Sequence, residues 1–312
     1  YTTLLSSAAS DVYKRQGLQI RDRLAETQSV DVISIDNDQR KNADARREMM
    51  RLADLTVLCL PDDAAREAVA LAGELGSDAP KIIDASTAHR TSPDWVYGFP
   101  ELAPGQADEI SAATRVANPG CYATGAIALI RPLIEAQIAS PSQSFTINAV
   151  SGYTGGGKSM ISAYEAGTAP RFELYGLGLS HKHIPEVMKH TGLTQKPIFV
   201  PSVGAFPQGM LVCVPLQLPD LANAPSLAAV NDAFASYYNE AGTVIYHGNA
   251  DDTAYKAQRL SIDPAEGSDQ MEIWMFSNPE DHQAVLVARL DNLGKGAAGA
   301  AVQNLKLMLA LT

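Results

Sequence analysis

The chain has 312 residues, of which 46% are hydrophobic and 19% charged, with a formal net charge of −11 at pH 7. Such a composition supports a sizeable folded core and two domains. It argues against broad binding of nucleic acid or anionic membrane, both of which need a basic face; an anionic small molecule, which needs only a local positive site, remains open. Three widely spaced cysteines, Cys59, Cys121 and Cys213, fit neither a disulfide framework nor a zinc site, so a reduced, cytoplasmic setting is expected. No apolar run reaches the roughly 18 residues that a bilayer span requires, and no internal repeat stands out.

The first sixteen residues, "YTTLLSSAASDVYKRQ", lack an initiator Met and resemble translated adapter read-through. Residues 1–16 are therefore expected to be non-native; an ordinary exposed arm is the alternative. From Gly17 onward the pattern is regular. "GLQIRDRLAE" has helical spacing, and "VDVISI" (30–35) reads as a short buried strand. A strand after a glycine-started helix is half of a nucleotide-binding unit, whose other half would be an apolar strand and a glycine-rich turn ending at Gly17. "DVYKRQ" offers no glycine there, so that strand and turn are expected to be missing.

Next come a polar helix-prone stretch (37–53), a strand "LTVLCLP" (55–61) with Cys59 in its core, an acid-started helix (62–75) and a strand "KIIDAS" (81–86). This alternation predicts a doubly wound parallel sheet. After Cys121 the order changes. A helix over "GAIALIRPLIEAQ" is followed by strands at 145–152, 197–204 and 209–218, a helix at 226–241, strands at 271–278 and 283–292, and a small-residue C-terminal helix. An α+β second domain with a mixed sheet is expected, with Cys213 in its core.

Pro119 and Gly120 force a turn before Cys121, which places the thiol at a helix N-terminus, where partial positive charge favours thiolate. A packed core thiol is the alternative. In "SHKHIPE" (180–186), an extended backbone would put His181 and His183 on one face. The pair could serve as base to the thiol or sit in a solvated basic loop; a third ligand for a metal is not evident. "SGYTGGGKS" (151–159) lacks the glycine spacing of a P-loop, yet its amides and Lys158 could hold an anion. "DASTAHR" (84–90) ends a parallel strand, where Arg90 could clamp a phosphate or carboxylate or be an ordinary surface charge.

In order along the chain, "DASTAHR", "DWVYGFPEL", "NPGCYATGAIALIRPL", "VSGYTGGGKS", "HKHIPE", "GMLVCVPL" and "DNLGKGAAGAAVQN" resemble the short form of the N-acetyl-gamma-glutamyl-phosphate reductase family, from Gly17 to the C-terminus. The resemblance implies a Rossmann-type domain at 17–117 and 293–312, and an α+β catalytic and dimerisation domain at 118–292, as in glyceraldehyde-phosphate dehydrogenase. It implies NADPH-dependent reduction of N-acetyl-glutamyl 5-phosphate to the 5-semialdehyde through a thioacyl group on Cys121. In that picture His183, in preference to His181, is the acid/base, and the other orients substrate. Arg90, Ser151, Lys158 and Glu186 would meet the substrate. Gly17, Pro61, Ser86, Asn292, Gly294 and Gly296 would meet the cofactor. Asp36 ends the second strand where an acid favours NAD, while Arg40 and Lys41 could hold the 2′-phosphate of NADP; the family uses NADP. No metal, nucleic acid or membrane is implied, and a homodimer or tetramer is. A related acyl-phosphate reductase, such as aspartate-semialdehyde dehydrogenase or an N-acetyl-aminoadipyl-phosphate reductase, is the near rival. A Cys-His acyl hydrolase and a non-catalytic binding protein are the distant ones.

Overall fold

A computed structural model describes residues 2–8 (backbone), 19–20, 22–24, 30–36, 38–240, 242–248, 253–280 and 282–311. The chain divides into two compact units, Tyr1–Gly120 with Ala297–Thr312, and Cys121–Gly296; the sequence places the junctions after 117 and before 293.

The first unit is built on a six-stranded sheet, all of whose pairings are parallel. Its strands are β1 (Thr2–Ala8), β2 (Val30–Ile33), β3 (Leu55–Cys59), β4 (Lys81–Asp84), β5 (Val96–Tyr97) and β6 (Arg115–Ala117), in the order β2-β1-β3-β4-β6-β5. The expectation that a first strand is missing is corrected here. Thr2–Ala8 forms it, pairing with β2 through Leu5↔Ile33 and with β3 through Ala8↔Cys59. The run "TTLLSSA" is rich enough in β-compatible residues to fill a central strand. The glycine turn expected to end at Gly17 lies outside the described residues.

Strand β3 is buried at every position, as a strand covered on both faces must be. Its alternation sorts the core. Leu55, Val57 and Cys59 pack on one face with Ile83, Ile110 and Val116. Leu58 and Leu60 pack on the other with Ala65, Ala68, Leu71, Ile82 and Trp95. Helix α1 (Ala43–Arg51) starts at Asn42, whose side chain accepts from Asp44 N and Ala45 N. Helix α2 (Asp62–Gly73) starts behind Pro61 with two acids that suit the helix dipole. Helix α3 (Gln106–Ala112) contributes Ile110.

The second unit begins with helix α4 (Cys121–Glu135), buried along most of its length. It carries a seven-stranded mixed sheet, β7 (Thr146–Gly152), β8 (Phe172–Leu174), β9 (Ile198–Gly204), β10 (Met210–Gln217), β11 (Val244–His247), β12 (Met271–Asn278) and β13 (Gln283–Leu290), in the order β11-β12-β13-β10-β7-β9-β8. Pairing is parallel for β7 with β9 and β11 with β12, and antiparallel elsewhere. Helices α5 (Lys158–Glu165), α6 (Ile184–Thr191), α7 (Leu227–Tyr237) and α8 (Thr253–Ala257) complete the unit. The long β10–β13 and β12–β13 ladders need little local turn chemistry, because their alternating apolar residues set the register.

The C-terminal helix, α9 (Gly299–Met308), returns to the first unit. Its Ala301, Val302, Leu305 and Met308 join the core of β3. Asn304, fully buried, donates from Nδ2 to Gly98 O at 2.9 Å and to Asn118 Oδ1 at 3.1 Å. Gly98 leaves the room for it, since a Cβ there would meet Asn304 Nδ2 at 2.3 Å.

Candidate active site

Cys121 is the first residue of α4 and is half-buried. Cys59 is fully buried. Cys213 is half-buried on β10, and burial pushes its thiol up to about 11, which leaves it protonated and inert at neutral pH. The first turn of α4 gives Cys121 what the other two lack, a place at the positive end of a four-turn helix. The reading of Cys59 as core therefore stands, and that of Cys213 is corrected from core to half-buried.

Around α4 the second unit gathers an aromatic cluster. Tyr122 is buried and donates to Ser202 O at 2.8 Å. Its ring lies 6.0 Å from those of His181 and His183, 6.5 Å from Tyr175 and 5.4 Å from Phe199. Tyr175 and His181 are 5.8 Å apart, and the two histidines 4.8 Å. Burial raises the Tyr122 phenol far above its ordinary value, with Tyr175 and Cys121 acting in the same direction. Tyr175 is pushed up to about 12 by burial and by Cys121, while its side-chain interaction with Tyr122 opposes the rise. Both phenols therefore remain protonated at neutral pH, and both lie close enough to Cys121 to interact with it electrostatically. Sequence reading missed Tyr175; its one signal was its place six residues before His181.

His181 and His183 do come together, but not as equals. His181 Nδ1 accepts the backbone N–H of His183 at 3.2 Å. That fixes its neutral tautomer with the proton on Nε2. Burial lowers its pKa to about 4, Lys182 lowers it further and Glu186 opposes. His183 is 5% exposed and stands directly before α6. Glu186, in the first turn of α6, is 2% exposed. Ser151, 3% exposed, donates to Gly152 O at 3.0 Å and also acts on the Tyr122 phenol. Lys158 is exposed at the first position of α5, behind Gly157 at φ 85°.

The "DNLGKG" segment packs against protein atoms. Asn292 accepts from Gly209 N at 2.9 Å and donates to Thr154 Oγ1 at 3.0 Å. It thereby ties the glycine-rich loop after β7 to the start of β10. Asp291 accepts from Gly267 N, Leu293 N and Gln208 Nε2. A Cβ on Gly294 would lie 2.0 Å from Ser268 O, and one on Gly296 would lie 2.9 Å from Cys121 Cβ. Gly296 is thus the wall behind the thiol. Asn292, Gly294 and Gly296, expected on the nicotinamide side, are all buried.

In the first unit, Arg90 is buried. Its Nε donates to Asn118 O at 3.0 Å and its Nη2 to Ala85 O at 3.1 Å. The Nε–Nη2 edge is thus engaged with main chain and holds the Asn118–Pro119–Gly120 turn that runs into Cys121. Ser86, 1% exposed, donates to Asp84 Oδ2 at 2.7 Å and accepts from Ala88 N at 3.1 Å. Ser86, expected to meet the cofactor, braces the 84–90 turn with these bonds. The same Asp84 oxygen lies 2.6 Å from His89 Nδ1, and His89 stacks on Trp95 at 4.2 Å. Asp36 is exposed beyond the end of β2, with Arg40 half-exposed and Lys41 exposed just after it. Pro61 is exposed at the start of α2. Among the described residues, no group of three or more His, Cys, Asp or Glu is arranged to hold a metal ion. No helix among them is long and apolar enough to cross a membrane.

Residues 121–292 match the family model for the semialdehyde dehydrogenase dimerisation domain, and residues 7–110 that for the semialdehyde dehydrogenase NAD binding domain. The second match begins at Ser7, inside the segment expected to be non-native. The chain is 50% identical over 298 residues to the N-acetyl-gamma-glutamyl-phosphate reductase of Brucella ovis, covering 94% of this chain and 95% of the relative. It is 51% identical to that of Brucella anthropi, covering 94% of each. Among solved structures, aspartate semialdehyde dehydrogenase II of Vibrio cholerae superposes with a TM-score of 0.69 at 15% identity, covering 99% of this chain and 98% of that one. The enzyme of Candida albicans with NADP gives 0.66 at 15% identity, with the same coverages. At such identities these likenesses speak for the fold.

Proposed function

The chain belongs to the semialdehyde dehydrogenase family, and we propose that it reduces N-acetyl-L-glutamyl 5-phosphate to N-acetyl-L-glutamate 5-semialdehyde with NADPH, releasing phosphate, as a step of arginine biosynthesis in the cytoplasm. The observation that carries the reading is Cys121 at the first turn of α4 beside two protonated tyrosines and a histidine pair, in a chain half identical to relatives named for this reaction.

The thiolate of Cys121, favoured by the helix start, attacks the acyl carbon. The C–O bond to phosphate breaks and an S–acyl bond forms. A thioester accepts hydride where a carboxylate does not. NADPH, when bound, supplies that hydride. The residues of the first unit fit such a group: an all-parallel sheet, Arg40 and Lys41 beyond β2 for a 2′-phosphate, and Pro61 exposed at the end of β3. Asp36 is exposed in the same turn, and the two cations after it favour NADPH over NADH.

The two histidines divide the remaining work. With its pKa near 4, His181 is neutral at pH 7, and its Nε2–H is a fixed donor for a developing oxyanion. His183, buried directly before α6, donates a proton to the hemithioacetal oxygen and then removes it. The C–S bond breaks, the aldehyde leaves and the Cys121 thiolate returns. Glu186 and Ser151 position the substrate, Lys158 adds positive charge from the start of α5, and Arg90 acts by holding the turn before Cys121. The unit carrying the site matches a dimerisation domain, which supports a homo-oligomer.

The test is phosphate-dependent reduction of NADP by N-acetyl-glutamate semialdehyde, run beside aspartate semialdehyde and beside NAD. Faster turnover of aspartate semialdehyde would move the chain to the neighbouring activity. A preference for NAD would give the nucleotide choice to Asp36.

A further inference from the structure

Large apolar side chains gather on one margin of the second unit. Phe172 and Leu174 of β8 are 56% and 49% exposed, and Leu177 and Leu179 in the following loop are 60% and 43% exposed. Among the described residues strand β8 ends the sheet, with β9 on one side and no strand on the other. Its hydrogen-bond alternation is set by two observations. Arg171 O accepts from Ala205 N at 2.9 Å, and Tyr175 N donates to Pro201 O at 3.1 Å. Residues 171, 173 and 175 therefore turn their backbone groups toward β9, and Phe172 and Leu174 turn theirs outward. An exposed apolar edge strand is a template for another strand.

We propose that this edge pairs with the same edge of a second copy of the chain, antiparallel about a two-fold axis at Phe172. The chemistry of "PRFEL" (170–174) favours that register. Centred there, Phe172 faces the partner's Phe172 as a hydrogen-bonded pair. Arg171 faces the partner's Glu173, and Glu173 the partner's Arg171, so one axis generates two opposite-charge pairs. A register centred at Glu173 would set like charges against each other. Pro170 has no N–H and closes the ladder after Leu174. The apolar side chains of Phe172 and Leu174 then cover one face of the join. A polybasic or anionic partner finds no matching charge block in this segment. The inference rests on the homo-oligomer reading and says where one of its contacts lies.

The test uses the full chain. Phe172→Cys puts thiols across the axis at the roughly 5.5 Å Cα spacing of a hydrogen-bonded antiparallel pair, within disulfide reach. Mild copper oxidation is expected to give a covalent dimer on non-reducing gels that the parent does not give. In sedimentation velocity, Arg171→Glu should weaken the association at least tenfold, and Arg171→Glu with Glu173→Arg should restore it. No cross-link, equal cross-linking of the parent, or failure of the charge swap to rescue would overturn the proposal. A parent that sediments as a single 33.2 kDa chain would overturn the oligomer reading with it. An oligomer without the cross-link would overturn the β8 contact alone.

Discussion

Gly296→Ala is expected to disable the nucleophile without removing it. The added Cβ would stand 2.9 Å from Cys121 Cβ, 3.0 Å from Asp291 O and 3.3 Å from Cys121 Cα. Carbon pairs prefer about 3.5–4.0 Å, so a relief of roughly 0.5–1 Å is needed. Two of these three atoms are backbone, and the third is Cys121 Cβ itself. Asp291 is held by three donors and yields little, so the shift falls on the first turn of α4. Overpacking of this kind costs about 1–3 kcal/mol, or roughly 2–12 °C in the melting temperature of a unit of this size. A displacement near 1 Å at a reacting atom costs on the order of 100-fold in rate. The assay is kcat with N-acetyl-glutamate semialdehyde, NADP and phosphate, beside the rate of thiol alkylation and a melting curve. A variant that melts a few degrees lower yet keeps wild-type kcat would refute the wall-behind-the-thiol reasoning.

Three further expectations follow from the same geometry. Cys121→Ser should leave the unfolding free energy within about 1 kcal/mol of the parent and abolish reductase turnover; near-normal turnover rules out the thioester route. His181, at about 4 against an ordinary 6.5, refuses in the folded chain a proton that the unfolded chain accepts. Its contribution is therefore full above pH 6.5 and is lost as pH falls toward 4. Urea midpoints at pH 7 and pH 5 should differ less in His181→Gln than in the parent, and an unchanged slope would remove the buried-neutral assignment. Arg90→Lys should cost about 1–3 kcal/mol of stability by stranding the Asn118 and Ala85 carbonyls, and should lower kcat more than it raises KM for phosphate. A pure KM effect would return Arg90 to the phosphate.

Several features were legible because they are local. Alternation in "LTVLCLP" and "QAVLVARL" is enough to produce buried strands, and the observed β3 and β13 lie inside the expected bounds. The turn in "NPGC" is enough to start α4 at Cys121. Other features were not. Strand β1 has no strict alternation, and it becomes a strand by finding β2 and β3 on either side. Strand β8 has three residues, too few for a period, and depends on its ladder with β9.

The amino-acid order by itself determined where the chain turns, which segments are apolar at strand or helix spacing, and which cysteine stands at a helix start. Tertiary structure decided what the polar side chains bond to. Asn292 reaches Thr154 across 138 residues of chain, and Arg90 spends two donors on carbonyls, one of them 28 residues away. A buried donor must find an acceptor, but the acceptor is chosen by packing, and packing brings together segments whose separation along the chain carries no signal in either one.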